Sequence, residues 1–427
     1  MTVDLPPSAA PRAAYPAEVL PERVRERLLA LAAERTPVSA YLYDPAVAAD
    51  RARALREALP GWAEVFYAVK ANSFAPVVEA LAPQVDGFEV ASVAELELTA
   101  DAARAAGRPH RVVAAGPGKT EALLTALVRA DAEVVNAESL LELHRLSRIA
   151  AACGRTTRVA LRVNPASVPI RGSLGMGGAP TQFGVPEPDV PGVLAQARDL
   201  PGLDVVGFHI HAASNNLDAA AHAAYLRWCL EWSARTAAAC GVRLRHVDIG
   251  GGIGVDFELP GGQRHGGFDT ALFGRLAAGI TPPPGVRVVL EPGRYLVADC
   301  GWYAAAVTDV KYAYGAWYAV LRGGIHHFQL PTSWELVHNA AVLPVDGWPA
   351  GLPRPVAAEV PVTVVGELCT PEDTLLRDVR VERVRAGDLV VFPVAGSYGW
   401  EFAMHSFLGH PVADRLVLPA RAQGPGR

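Results

Sequence analysis

The sequence concentrates its chemistry in a lysine, two histidines, a triple glycine and a Glu-Pro-Gly-Arg run. Lys70 follows an apolar and aromatic stretch, in Phe66-Tyr-Ala-Val-Lys70-Ala-Asn72. A lysine there either snorkels to solvent or is partly desolvated, and in the second case its amine loses proton affinity and can form a Schiff base with an aldehyde. Gly250, Gly251 and Gly252 stand in Asp248-Ile-Gly-Gly-Gly252. Without a Cβ, their backbone N–H groups can close on an anion, although such a run alone is often only a tight turn. Glu291-Pro-Gly-Arg294 adds Gly293 and the guanidinium of Arg294, which makes the two loops together a phosphate cradle. His209 and His211 alternate on one strand and so share a face. No third ligand stands at metal spacing from them, so a histidine ring lying flat on a planar cofactor is the better reading than a metal pair.

These groups must be held by elements that the hydrophobic pattern reveals. Short β-branched or aromatic runs at 65–71, 87–92, 111–116, 132–137, 158–164, 206–211, 246–250 and 286–291 alternate with helical patterns such as 93–106, 138–152 and 219–239. That alternation signals βα units on a parallel sheet. Eight such units predict an α/β fold, a (β/α)8 barrel over 45–292, with an active site at the C-terminal ends of the strands where the chemical residues fall. A doubly wound open sheet is the rival. After about Arg294 the helical period fades and Gly and Pro punctuate short runs at 362–365 and 388–392, which predicts a mostly β domain over 293–420. Residues 17–44, with a strand-like stretch at 37–43, are assigned to that domain. The Ala- and Pro-rich residues 1–16 are expected to be a flexible arm, and the tail after 420 to fray.

A Schiff-base lysine, a phosphate cradle, a histidine platform and an acid at Glu291 together fit pyridoxal 5′-phosphate. A carboxylate at the pyridine nitrogen keeps it protonated, so the ring can draw electrons from a carbanion at the substrate Cα.

The sequence resembles the fold-type III pyridoxal-phosphate decarboxylases, the group of diaminopimelate, ornithine and arginine decarboxylases. The likeness runs from about Tyr41 to Pro411. It rests on Tyr67-Ala-Val-Lys70-Ala-Asn72, Gly87-Phe-Glu-Val-Ala-Ser92, His211-Ala-Ala-Ser214, Asp248-Ile-Gly-Gly-Gly252, Glu291-Pro-Gly-Arg294, Cys369-Thr-Pro-Glu-Asp373 and Gly396-Ser-Tyr-Gly399. It implies an alanine-racemase-like barrel with a β domain. It also implies that Lys70 carries the cofactor, that His211 stacks on the ring and that Glu291 meets the pyridine nitrogen. Ser214, Gly250 to Gly252, Gly293, Arg294 and Tyr398 would hold the phosphate, with Arg162 close by. Cys369 would reach the partner subunit's site and protonate Cα, which makes the active form a homodimer with shared sites. Thr370, Asp373 and Tyr398 would face the substrate beside it.

Departures from the pattern bear on the substrate. Thr370 stands where diamine and diaminopimelate members have an acidic residue, and Gly323-Gly-Ile-His-His-Phe-Gln-Leu-Pro-Thr-Ser-Trp334 lacks the arginine that clamps a distal carboxylate. Burying an unpaired charge is costly, so the far end of the substrate is expected to be neutral or to leave the pocket, unless Glu367 or Glu372 points inward. Met176-Gly-Gly-Ala-Pro-Thr-Gln-Phe-Gly184, Leu368-Cys-Thr-Pro-Glu-Asp373 and Tyr398 through Phe407-Leu-Gly-His-Pro411 look like the natural-product branch. That branch includes butirosin-type decarboxylases of glutamyl or methylaspartyl groups on an acyl carrier protein, and siderophore decarboxylases. A carrier-linked aminoacyl group is therefore the leading expectation, with a free or siderophore-linked amino acid as the alternative. Arg322 replaces a family aspartate and is expected to face solvent, or else to meet a pantetheine phosphate. A racemase and a non-catalytic relative are the rivals in kind. Glu291 speaks against the first, and the joint presence of Lys70, His211, Glu291 and Cys369 against the second.

Composition narrows the partners. A net charge of −5 without a dense basic run gives no footprint for nucleic acid. The five cysteines are scattered, with no C-x-x-C pair, which fits a reducing compartment and no structural metal. With no run of roughly 18 apolar residues and no signal-like start, a cytoplasmic location without a membrane partner is expected.

Overall fold

The computed structural model describes residues 12–35, 37–178, 180–258, 267–331, 334, 336 and 338–419. The described residues form two compact units, one within 45–256 and 267–297, the other within 12–44, 257–258 and 298–419.

The first unit is a closed barrel. Strand β1 (Ser39–Tyr43) belongs to the other unit. The barrel strands are β2 (Ala63–Ala68), β3 (Gly87–Val90), β4 (Val112–Ala114), β5 (Val134–Ala137), β6 (Thr157–Asn164), β7 (Leu203–His209), β8 (His246–Asp248) and β9 (Arg287–Leu290). Each pairs in parallel with its neighbour, β9 returns to β2 through Val288 opposite Ala63, and β5 joins β6 through Val135 opposite Val159. That last pairing closes the ring and removes the open-sheet alternative. The strands read as near-continuous apolar runs because side chains pack on both faces, inward around Phe66, Val113, Val134, Ala160, Val206 and Val289.

Two helices start in a way that matters for the site. Ser92 accepts the N–H of Glu95 while the Glu95 carboxylate accepts that of Ala91. Ser139 and Glu142 repeat the exchange, with Glu142 reaching back to the N–H of Glu138. Each is a capping box shifted by one residue, the carboxylate accepting the N–H just before the N-cap, and it fixes where strand hands over to helix. Glu138 is part of the second exchange, and Glu89 lies two residues before Ala91 in the first.

The second unit is a mostly β structure. Its strands are β10 (Gly301–Ala313), β11 (Ala316–Leu321), β12 (Ala341–Leu343), β13 (Val356–Val365), β14 (Thr374–Arg385), β15 (Leu389–Phe392) and β16 (Asp414–Val417). They run in the order β12-β15-β10-β11-β13-β14, and β1 pairs antiparallel with β10 and parallel with β16. Helix α1 (Glu22–Glu34) lays Val24, Leu28 and Leu31 against Leu42, Trp302 and Val391 in one core. The expected loose arm differs in its described part. The Ala14 and Tyr15 amides donate to Arg380 and Ala340, and the Tyr15 ring is buried, so residues 13–15 are sheet-bound; residues 1–11, like the tail from 420, lie outside the described residues. Residues 293–297 pack with the barrel rather than with the β unit.

Candidate active site

Strand β2 stops at Ala68, and Lys70 sits on the following single 3-10 turn, Val69–Ala71. Its side chain is 44% exposed and its Nζ lies 2.7 Å from Oε2 of Glu89, a carboxylate that is itself buried. Of the two readings, the structure shows a partly exposed, ion-paired lysine, because the backbone leaves the apolar strand two residues before the amine. Gly293 makes the turn possible. A Cβ there would come within 2.9 Å of the Ala71 Cβ, so the loop after β9 presses directly on the lysine turn.

Deeper in the barrel, His209, Asp248 and Glu291 are buried together, with His209 Nε2 3.5 Å from Glu291 Oε2. Burial works against charge on both carboxyls, and the outcome differs between them. Asp248 is pushed well up by burial and by the charge of Glu291. At Glu291 burial pulls upward too, but His209 and Lys70 more than offset it, so its pKa is lowered and it stays ionised. Asp248 accepts N–H groups from Gly250 at 2.8 Å and Asn136 at 3.3 Å. Among the described residues, Glu291 Oε1 is buried with no hydrogen-bond partner.

His211 lies two residues beyond the end of β7, and its Nδ1 accepts the Gly251 N–H at 3.1 Å. That bond requires the neutral ring with its proton on Nε2. Burial, with Arg162 and Lys70 nearby, lowers its pKa well below the ordinary histidine value. The kcat/KM profile is therefore expected to show no limb from residue 211 near pH ~6.5, which comparison with His211→Asn checks. A Cβ at Gly250 would meet that ring at 2.4 Å, and Gly250 has a φ of +67°, so glycine is required there.

The glycine run differs in detail from an open anion nest. Gly250 and Gly251 spend their N–H groups on Asp248 and His211. Arg294 is buried on the turn Arg294–Val297, and Ser214 lies on the Ala213–Ser214 strand pair. Arg162, opposite His209 in the β6–β7 register, is buried with Nη1 2.7 Å from Glu138. Glu138 also accepts the N–H groups of Gly116 and Gly184, and Arg162 lies 4.6 Å over the Phe183 ring. Breaking a buried pair leaves a charge uncompensated, so Glu138→Ala is expected to lose about 3 to 5 kcal/mol of stability, read from denaturant midpoints.

The remaining candidates lie in the second unit. Cys369 is exposed and free, as a thiol, and Thr370 is half-buried. Asp373 is buried, and its two oxygens accept the N–H groups of Ile325 and Leu368, each at 2.8 Å. Its carboxylate thereby ties the Cys369 loop to the 323–327 loop. Tyr398 takes a left-handed φ of +62° with its ring edge-on to Trp334. Arg322, expected in solvent, is ion-paired to Glu367 and only partly exposed, and Glu372 is exposed.

Residues 47–298 match the pyridoxal-dependent decarboxylases, in the segment described as the pyridoxal binding domain. The chain belongs to that family. The decarboxylase is 35% identical over 393 residues, 91% of this chain and 96% of the relative, to 2-[(L-alanin-3-ylcarbamoyl)methyl]-2-hydroxybutanedioate decarboxylase of Staphylococcus aureus. It is 29% identical to the L-glutamyl-[BtrI acyl-carrier protein] decarboxylase of Niallia circulans, covering 88% of each chain. Among solved structures, diaminopimelate decarboxylase from Helicobacter pylori with L-lysine superposes with a TM-score of 0.78 at 25% identity, covering 92% of this chain and 93% of that one.

The cofactor of the family is pyridoxal 5′-phosphate, and the decarboxylase's own residues fit it. An amine stands at the barrel rim, a buried ionised carboxylate keeps one oxygen without a donor among the described residues, and a glycine loop is too tight for any Cβ. Glu89, Glu138 and Asp248 were not assigned roles from sequence. Glu89 sits inside a quoted motif, whereas Glu138 reads as the start of a helical pattern and only the fold brings it to Arg162.

Proposed function

We propose that this pyridoxal-dependent decarboxylase removes the α-carboxylate from an amino-acid head joined through an amide to a hydroxy-polycarboxylate. The observation that carries this reading is the 35% identity to a relative named for such a compound, sustained over 91% of the chain. Thr370 supports it, since an acidic reader for a distal ammonium is missing after Cys369. A carrier-linked glutamyl-type group is the second reading, favoured by the relative at 29% and by the same threonine.

Lys70 would hold the cofactor aldehyde, Glu291 the ring nitrogen and His211 the ring face. Ser214, Gly252, Gly293, Arg294 and Tyr398 would hold the phosphate. When bound, the group supplies an electron sink for the charge left at Cα as carbon dioxide departs. Ionised Glu291 favours a protonated partner at its free oxygen, and neutral Asp248 beside it avoids a second buried charge. Neutral His211, pinned by Gly251, offers a ring that adds no positive charge. Glu89 receives or returns a proton at the Lys70 amine. Cys369 carries the proton for Cα. It acts in the partner subunit's site, so the active form is a homodimer. Cys369→Ala is expected to keep cofactor binding while kcat falls about 100-fold, measured by carbon dioxide release.

A substrate panel tests the reading. The amide-linked compound should exceed free diaminopimelate, ornithine and glutamate in kcat/KM by about 100-fold or more. Equal or better turnover of a free amino acid would overturn it, and turnover of carrier-linked glutamate alone would install the second reading.

A further inference from the structure

The β unit holds a group of donors for which the decarboxylation above has no use. His326, Glu367 and His410 each bring one ligand atom to a common place, all within 4.8 Å of one another. His326 Nε2 is 3.3 Å and His410 Nδ1 3.8 Å from the same Oε1 of Glu367. Two ligands bound at about 2.1 Å in a tetrahedral site stand about 3.4 Å apart, so the cluster is close to a first coordination sphere. The His326 side chain is 0% exposed; its Nε2 faces Glu367, and among the described residues its Nδ1 has no hydrogen-bond partner.

The three ligands are also held from behind. Asp373 fixes Ile325 and Leu368, the neighbours of His326 and Glu367. His327, anchored to Ser39 at 2.8 Å, donates to the carbonyl of Pro411, the neighbour of His410, also at 2.8 Å. Such support orients ligands before an ion arrives. Glu367 and His410 are 21% and 30% exposed, which gives an entry path and room for a water ligand.

We propose that His326, Glu367 and His410 form a binding site for a divalent transition metal of the zinc class. Two imidazoles and one carboxylate match zinc, cobalt or nickel, whereas magnesium and calcium favour oxygen donors. Arg322, now on Glu367 Oε1, moves to Oε2 when the metal takes Oε1. The site is not visible in the sequence because the ligands lie 41 and 43 residues apart (367 − 326 and 410 − 367).

The test uses tag-free holoenzyme, stripped with a chelator, incubated with zinc and passed through gel filtration. Wild type should retain one zinc per chain. His410→Ala and Glu367→Gln should each bind at least about 100-fold more weakly, with the visible absorbance of the bound cofactor showing that they are folded. Cobalt in place of zinc should give visible absorption in wild type only. Cys369→Ser should bind as wild type does, which shows that the nearby thiol is not the donor. Wild type that retains no zinc at micromolar concentration, or variants that retain it equally, would overturn the proposal. Should either variant fold poorly, a zinc-dependent rise in the Tm of wild type decides the matter, and its absence counts against the site.

Discussion

Lys70→Ala is expected to remove the visible absorbance of the bound cofactor and to lower kcat by on the order of 10⁴-fold or more, as losses of a covalent catalytic group do. The physical ground is the rim geometry. Lys70 is the amine at the C-terminal edge of β2, and it is already oriented by the 2.7 Å contact with Glu89. No neighbouring lysine can substitute, because Lys119 is buried in its own pair with Glu142, 2.6 Å away. Glu89→Gln should do less. It keeps the side chain's shape and a hydrogen bond to the amine but removes the charge, so a fall of about 10- to 100-fold in kcat with the absorbance retained is expected. Lys70→Ala protein that keeps both the band and the turnover would remove the cofactor attachment from the account.

The barrel was legible because eight buried parallel strands leave eight apolar runs, and each run is separated by helix-period sequence. Lys70, His211, the glycines, Glu291 and Arg294 were legible because they fall at strand ends, where a barrel does chemistry. The environment of those residues was not. The apolar neighbours of Lys70 left both snorkelling and desolvation open, and it is the 3-10 turn Val69–Ala71 that brings the amine to Glu89. Glu138 shows the same limit from the other side. Its carboxylate serves Arg162, Gly116 and Gly184, partners 22 to 46 residues away that no local pattern connects. Nor does the sequence around Asp373 show that its two oxygens accept the backbone N–H groups of Ile325 and Leu368. Periodicity reports which face is buried. It does not report which buried polar group satisfies which.

Glu291→Gln is the second large effect expected, a drop in kcat of about 100- to 1,000-fold, the range for removing one preorganised charge from a dry site. The two buried carboxyls explain why the loss should fall short of complete. In wild type the negative charge of Glu291 is part of what raises Asp248, so Asp248 keeps its proton at neutral pH while Glu291 stays ionised. Glutamine removes that charge, so Asp248 moves down from its raised value and can ionise in turn, supplying a weaker anion nearby. The residual activity of Glu291→Gln should therefore rise with pH as Asp248 loses its proton. Wild type should show no such acid limb from Glu291, whose lowered pKa leaves it charged below the ordinary carboxylate range of about 4.3. Asp248→Asn alone should be mild by comparison, because it replaces a neutral acid with a neutral amide. The double variant should lose more than the two singles predict, since the compensating anion is gone. Steady-state rates across pH on all four proteins check this, and a flat profile for Glu291→Gln together with an additive double variant would show that the two carboxyls do not exchange the charge.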